Sequence, residues 1–343
     1  GIGIIVMDFS ILPFLKVGGM QLFKTESSQN EKVMPRVGKL ASSIAILYLV
    51  LTFLCTVCYL MAGLKLFDAV AHAMTTIATG GYSTFDGSLG SLNNINAEIT
   101  AIIFMIAGSL PFVLYLKCAS GNFQSLFRDV QVHAFFAILG SAILIMCAYL
   151  VVVQGHNPVT ALRQTSFNVT SIMTGTGYST ADYGLWGPFA VHLFFFLMVI
   201  GGCAGSTTCG IKIFRFQVLY AVAKVQIKQL LHPHGVFIPQ YNRRPLPEGV
   251  ASSVLSFFFL FAICFSVLSL LLSLTGLDYL TAMSGAATSL ANVGPGLVSE
   301  IGPVSTFQNL PDASKWVLCI GMLLGRLEIF TLIVLLSPHF WKR

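Results

Sequence analysis

Ala78-Thr79-Gly80-Gly81-Tyr82-Ser83-Thr84 is glycine-rich, uncharged and set between two apolar segments. It returns as Gly175-Thr176-Gly177-Tyr178-Ser179-Thr180 and, more loosely, as Asn292-Val293-Gly294-Pro295-Gly296. From Gly81 to Gly177 is 96 residues, and from Gly177 to Gly294 is 117. A long internal period of this kind is an architectural signal.

The flanking segments recur in the same order. The run from Ser42 to Gly63 is long enough to cross a bilayer, which takes about 20 apolar residues. A shorter run from Asp68 to Ile77 leads into the first glycine stretch. It is too short to cross and reads as a re-entrant half-helix, with Asp68 placed to cap it. A crossing run from Ile99 to Leu116 follows. The second copy has a span from His133 to Val153, then a short segment opened by Asn157-Pro158 and running to Met173. After its glycine stretch comes a long span from Phe189, interrupted by Gly201-Gly202-Cys203-Ala204-Gly205-Ser206-Thr207-Thr208-Cys209-Gly210, and then a polar stretch from Lys212 to Gly249. The third copy has a span from Ser252 to Leu274, a half-helix opened by Asp278 and ended by Gly294, and a final span from Ala313 to Leu336. Gly1 to Leu15 is apolar, too short for a span, and fits the last span of an earlier copy. An upstream portion with a fourth glycine stretch is therefore expected.

Composition agrees with a polytopic membrane protein. Of 343 residues, 55% are hydrophobic and 9% charged, with mean hydropathy +0.82; soluble domains carry about 25% charged residues. Of the eight cysteines, Cys55 and Cys58 form a C-x-x-C pair, but it lies mid-span without a second pair. Small buried apolar residues are the better reading than a metal or redox site. Basic residues favour one side, with fifteen in one set of loops and ends against Lys65, Arg163 and Lys315 on the other. The first side is cytoplasmic by the positive-inside rule, and the glycine stretches face outward. Asp68, Asp86, Glu98, Asp182, Asp278, Glu300 and Asp312 share the outer side. They read either as an acidic mouth that concentrates cations or as ordinary solvated loop charge.

Non-helical backbone at membrane depth is tolerated only where it is buried or lines a water-filled cavity. A segment whose successive carbonyls point one way must visit dihedrals that glycine reaches at little cost. Carbonyls converging from several segments can replace the water shell of K⁺. Each half-helix also aims its negative C-terminal end at the membrane centre. Thr79, Gly80, Gly81, Gly175, Thr176, Gly177, Asn292, Val293 and Gly294 are thus candidate K⁺-binding filter residues. Tyr82 and Tyr178, directly after the key glycines, are placed to pack outward and hold the filter's width. Taken singly, each stretch reads equally well as a turn for close helix packing.

These stretches resemble the second, third and fourth filters of the Trk/Ktr/HKT cation transporter family, of its bacterial TrkH type. Gly201–Lys212 resembles that family's intramembrane gating loop, Gly321–Pro338 its last pore-lining helix, and the opening Gly1–Phe23 the inner helix of its first repeat. The resemblance covers the whole chain. It implies an all-α polytopic membrane protein of span–pore-helix–span repeats around a pseudo-fourfold ion pore. Residues 1–39 would end the first repeat, 40–132 form the second, 133–249 the third with the loop, and 250–343 the fourth. The first repeat's outer span, half-helix and filter are not in this sequence. Cys209 also departs from the loop's usual glycine-richness.

The resemblance further implies K⁺ uptake across the bacterial inner membrane by a homodimer. A cytosolic TrkA-like nucleotide-binding ring would regulate it and would hold any ATP or NAD. Membrane lipid is the surrounding partner, no nucleic acid is implied, and no covalent cofactor is expected beyond K⁺ as transported ion. Gly201, Gly202, Gly205, Ser206, Thr207, Thr208 and Gly210 then form a gate with Arg326, the basic residue deep in an apolar span, where charge normally faces a cavity or partner. In the family, this arginine lies below the filter and meets the loop, so an electrostatic block of K⁺ is expected. A structural pair with Glu328 or neighbouring helices is the alternative, as is a simple kink at Gly201–Gly210. Gly205–Lys212 fails as a phosphate loop, since no Ser or Thr follows Lys212 and no strand precedes it. His72 is expected to pack, His232 and His234 to lie in a polar loop, and Asp8 is given no role. A sodium-conducting or ion-coupled transporter is the alternative within transport. An intramembrane enzyme would need a nucleophile–base pair or a metal cluster that the sequence does not offer.

Overall fold

The computed structural model describes residues 33–242, 244–297, 300–327 and 329–330, with side chains from residue 41. The opening half-span, Asp8, Glu328 and the far end of the final span lie outside them. The protein is an all-α membrane protein, with twelve α-helices and one two-stranded hairpin among the described residues.

The first unit comprises α1 (Val33–Met61), α2 (Leu66–Ile77), α3 (Ile95–Ser109) and α4 (Phe112–Ala119), followed by the short α5 (Gln124–Arg128). The second comprises α6 (Val130–Val152), α7 (Pro158–Met173), α8 (Pro188–Val199) and α9 (Ile213–Leu231). The third comprises α10 (Val250–Leu274), α11 (Tyr279–Ala291) and α12 (Asp312–Arg326). The strands β1 (Gln240–Tyr241) and β2 (Arg244–Pro245) pair antiparallel between α9 and α10. Parts of α1, α6 and α10 are long and apolar enough to cross a membrane, and α3 with α4 makes a fourth candidate if the bent pair is one span.

In every unit the long outer helix packs on the half-helix, and the half-helix packs on the inner helix. The inner helix of one unit then packs on the half-helix of the next, α3 on α7 and α8 on α11. Three cores follow this order. Phe167 and Tyr178 of the second unit insert into the core of the first. Ala291, Val293 and Leu297 of the third insert into that of the second, and Ile211 of the second reaches into that of the third. The units are therefore arranged around an axis and held by apolar burial, worth about 25 cal/mol per Å² for whatever surface is removed from water.

Two expectations need correction. Asp68 does not cap α2; the cap position is Lys65, and Asp68 sits in the first turn, where its Oδ1 accepts a 2.7 Å bond from the Thr84 hydroxyl. The run from Ile99 to Leu116 is not one straight span. It bends by 93° between α3 and α4, because Pro111 lacks an N–H and forces Leu110 into an extended conformation (φ −88°, ψ 156°). Within the polar stretch after Lys212, α9 occupies the first 19 residues. Asn157 caps α7 as its position before Pro158 suggests, its Oδ1 accepting from the Val159 amide at 3.0 Å.

Candidate functional site

The half-helices α2, α7 and α11 end alike. In each, the fifth residue before the middle of the glycine stretch accepts a backbone bond from that middle residue: Gly80 N to Thr75 O at 2.8 Å, Thr176 N to Ser171 O at 2.9 Å, and Val293 N to Thr288 O at 3.0 Å. The first residue of each stretch also donates back to the helix, from Thr79 to Thr76 O, Gly175 to Ile172 O and Asn292 to Ser289 O, at 3.1, 3.0 and 3.2 Å. That first residue and the third both have positive φ: Thr79 48° and Gly81 64°, Gly175 67° and Gly177 86°, Asn292 54° and Gly294 113°. A run with alternate left-handed residues turns successive carbonyls to one side, which L-residues in extended strand cannot do.

The stretches touch through these glycines. A Cβ on Gly81 would lie 1.9 Å from Thr176 O of the next unit, and a Cβ on Gly177 would lie 2.1 Å from Val293 O of the unit after. Thr176 and Val293 occupy the same place in their stretches, so one backbone contact is repeated by rotation. Gly175–Thr176 is buried, while Gly80 and Gly294, at the two flanks, are exposed. A Cβ on Gly294 would find among the described residues only the Gly177 Cα, at 3.9 Å. The negative ends of the three half-helices lie here, with backbone carbonyls as the nearby polar groups. Such oxygens suit a hard cation such as K⁺.

Hydroxyls at one helix position anchor the outer arm of each stretch. Thr75 Oγ1 donates to Tyr82 O at 2.9 Å, Ser171 Oγ to Tyr178 O at 2.6 Å, and Thr288 Oγ1 accepts from Gly294 N at 2.9 Å. The sequence reading did not single these residues out, although they share the spacing of the glycines. Three residues earlier in two of these helices, about one turn, His72 Nε2 bonds Ser83 Oγ at 3.0 Å, and Asn168 Nδ2 donates to Thr180 Oγ1 at 3.0 Å. His72 is thus packed as expected, stacked on Phe85, and it also ties the chain beyond Gly81.

The two tyrosines differ. Tyr178 is fully buried and its hydroxyl bonds Thr75 Oγ1 at 2.6 Å on the neighbouring half-helix. Tyr82 is 78% exposed, so the expectation that both brace the stretches fits Tyr178 alone among the described contacts.

Below the stretches, residues 201–210 replace helix by a docked loop. It is tied to the α3–α4 bend, where helix carbonyls have lost their partners. Cys203 N donates to Ser109 O at 3.1 Å, Thr207 N to Gly108 O at 3.1 Å, and Phe112 N to Gly205 O at 2.9 Å. Gly201 and Ile211 close the loop's base, with Gly201 N on Ile211 O at 2.9 Å. Ser206 Oγ donates to Cys203 O at 2.6 Å and shares a 2.8 Å bond with Thr208 Oγ1, which also accepts from Gly202 N at 3.1 Å. Lys212 Nζ folds back onto Thr208 O. Gly205 and Gly210 have φ of 72° and 73°. Thr79 Oγ1 donates to Thr207 Oγ1 at 3.3 Å, which sets the loop directly against the inner end of the first stretch.

Arg326 closes the arrangement from α12. Its Nη1 donates to Cys209 Sγ at 2.7 Å and lies 3.5 Å from Thr207 O. The interrupted span and the half-buried arginine, which the family resemblance placed together, meet in the structure. Glycine makes this possible: a Cβ on Gly325 would lie 1.9 Å from Leu290 O at the end of α11, and one on Gly321 would lie 2.6 Å from Ser289 Oγ. This close approach of two backbones is what a G-x-x-x-G face permits.

Two of the acidic residues expected on the outer side are already paired. Glu98, nearly buried, takes Arg163 in a bidentate pair at 2.6 Å on both oxygens, and Asp312 takes Lys315 at 3.1 Å.

The sequence pattern of the TrkH family, described as cation transport protein, matches residues 1–343. The chain belongs to the TrkH family. It is 48% identical over 345 residues to the Trk system potassium uptake protein TrkI of Halomonas elongata, covering 100% of this chain and 70% of that protein. It is 37% identical over 352 residues to the Trk system potassium uptake protein TrkH of Vibrio parahaemolyticus, again covering 100% of this chain and 71% of the relative. The crystal structure of the potassium transporter TrkH from Vibrio parahaemolyticus superposes with a TM-score of 0.88 at 36% identity, covering 99% of this chain and 70% of that one. As a TrkH-family member, the chain is a multi-pass membrane transport protein.

Proposed function

We propose that this chain is the membrane subunit of a potassium uptake system. K⁺ loses its water in a filter made by Thr79–Gly81, Gly175–Gly177 and Asn292–Gly294, then passes a gate made by residues 201–210 and Arg326. The observation that carries the reading is the repeated contact of Gly81 with Thr176 O and of Gly177 with Val293 O. The same glycine-to-carbonyl approach, repeated at the ends of consecutive half-helices, supports carbonyls gathered around one point with no side chain between them. Residues 40–132, 133–249 and 250–343 are three units of a pseudo-fourfold ring, and 1–39 the tail of another. The flank between Gly80 and Gly294 is where a fourth stretch of the same kind fits.

The Arg326 guanidinium stands one docked loop away from the inner filter position. A fixed positive charge there repels K⁺ strongly in a water-poor site. The relatives carry names of Trk potassium uptake proteins, which favours K⁺ as cargo and the bacterial inner membrane as location. A homodimer with a cytosolic TrkA-like regulatory ring is the matching assembly.

The test is uptake into liposomes holding the full-length protein, with K⁺ against Na⁺ competition. Selective K⁺ uptake, raised at least several-fold by Arg326→Ala, is the expected outcome. Equal uptake of Na⁺ points to a non-selective cation path, a requirement for a co-transported ion to a symporter, and no uptake at all overturns the reading.

A further inference from the structure

We propose that Thr79 and Asn292 are positioning residues that couple the inner end of the filter to the gate, so that release of Arg326 also changes how tightly the filter holds K⁺. The proposal rests on the filter-and-gate reading above.

The innermost filter position is left-handed in all three units, with φ of 48° at Thr79, 67° at Gly175 and 54° at Asn292. Glycine takes this conformation freely, asparagine tolerates it, and a β-branched residue such as threonine is a true outlier there. Two of the three units therefore keep a side chain against the local backbone preference. Strain of this sort persists where the surroundings over-determine it, and it clusters at switches and ligand clamps.

Both side chains make bonds that glycine cannot, and each reaches a gate element; the Thr79 hydroxyl divides its one proton between Ala78 O, at 2.8 Å, and the gate. Thr79 Oγ1 donates to Thr207 Oγ1 at 3.3 Å, and Thr207 in turn donates to Gly108 O at 2.9 Å. Asn292 Nδ2 donates to Met322 O at 3.1 Å. Met322 lies four residues before Arg326 in α12, one turn away on the same helix face. At Gly175 the space differs: among the described residues a Cβ there would meet only Asn292 O at 3.8 Å and Ala291 O at 4.0 Å, backbone of the next stretch and of the end of α11. Side chains thus stand where a gate element is in reach and are absent where none is. The Arg326 contacts with Cys209 and Thr207 close the circuit from loop to α12. A displacement of the loop pulls on Thr79, and a displacement of the Arg326 turn pulls on Asn292.

The coupling is measured with the full-length protein in liposomes, as apparent KM and maximal rate of K⁺ uptake. Four forms are compared: wild type, Arg326→Ala, Thr79→Gly with Asn292→Gly, and all three changes together. Glycine fits the left-handed backbone, so filter geometry is kept while the ties are cut. Arg326→Ala is expected to raise the rate and to shift KM about fivefold, the equivalent of one net hydrogen bond. In the glycine background it should raise the rate and leave KM in place, while Thr79→Ser, which keeps the hydroxyl, should restore the shift on that side. If the KM shift persists in the glycine background, or if Arg326→Ala raises the rate with no KM shift in the wild type, the coupling is overturned. A wild type that does not take up K⁺, or a rate insensitive to Arg326→Ala, instead overturns the filter-and-gate reading, and the coupling with it. Should the double glycine form not fold, the single glycine variants are read the same way, each expected to lose part of the shift.

Discussion

Gly81→Ala is the most direct test of the site. The added Cβ would sit 1.9 Å from Thr176 O and 2.8 Å from Thr176 C, where ordinary contact begins near 3.4 Å. One of the two strands must move by the difference, about 1.5 Å. The residue would also hold a φ of 64°, which costs a non-glycine residue roughly 1–2 kcal/mol. Overpacking adds about 1–3 kcal/mol, so the strain is roughly 2–5 kcal/mol in all. Gly155 supplies the control, with φ of 70° and nothing within 4 Å of its Cβ position. Gly155→Ala carries the backbone term without the clash. Competitive K⁺ and Na⁺ uptake in liposomes would be measured for both variants, with thermal unfolding to check integrity. Gly81→Ala should cut the K⁺/Na⁺ flux ratio at least tenfold, which needs only about 1.4 kcal/mol of the strain to reach the ion site. Gly155→Ala should leave the ratio unchanged. Equal ratios in two folded variants would refute the carbonyl filter, because the atom displaced by Gly81→Ala is a proposed ligand.

Three further outcomes follow from local geometry. Ser171→Ala removes the donor to the buried Tyr178 O, 2.6 Å away, and should lower stability by about 1–3 kcal/mol and reduce the K⁺/Na⁺ flux ratio. Arg163→Met strands Glu98, whose side chain is 5% exposed, whereas Glu98→Gln leaves an arginine that is 38% exposed. Arg163→Met should therefore cost about 3–5 kcal/mol and Glu98→Gln clearly less, read as a difference in melting temperature. Gly325→Ala should lower melting temperature and trap poor uptake by forcing α12 away from Leu290 O, while Gly140→Ala, in α6 with nothing within 4 Å, should raise stability by about 0.5–1 kcal/mol.

What the sequence discloses and what it hides have different physical origins. The half-helices were legible because length alone separates Asp68–Ile77 from a crossing span, and because Asn157-Pro158 is a start signal. Gly81, Gly177 and Gly294 were legible because the backbone state they permit is rare and recurs at matched places. The α3–α4 bend was hidden by hydropathy, which stays high through Pro111, although the proline itself was the available signal. Thr75, Ser171 and Thr288 were hidden because hydroxyl residues are common and only their register with the glycines distinguishes them. Gly325 looked like one glycine among 31; its role depends on a neighbour 35 positions earlier, Leu290, which no local pattern reports. The Arg163–Glu98 pair, 65 residues apart, was hidden for the same reason: Glu98 read as acidic mouth or solvated loop charge, and Arg163 only as a basic residue of the same side.

The docking of residues 201–210 bears on how such a gate can open. The loop is held to its surroundings by Cys203 N on Ser109 O, Thr207 N and Thr207 Oγ1 on Gly108 O, Gly205 O under Phe112 N, and Ala204 N on Gln131 Oε1. At about 1 kcal/mol net for each bond, full release costs roughly 5 kcal/mol, so about one molecule in several thousand would stand open unaided. An effector that inverts this balance must favour the open state by a comparable amount, since a ligand shifts an equilibrium only by its differential affinity. Among the described residues, Thr79 is the proposed filter residue that bonds the loop, so K⁺ binding by itself is a weak lever on that balance. The load falls on the cytoplasmic side, where α9 continues directly from the loop at Lys212 and Ile213. A regulatory partner bound there has mechanical access to Gly210, the left-handed residue at the loop's end. The protein in liposomes without a partner should thus show low uptake that Arg326→Ala only partly relieves, and Gly210→Ala, by stiffening that joint, should blunt activation by the partner more than it alters the unstimulated rate.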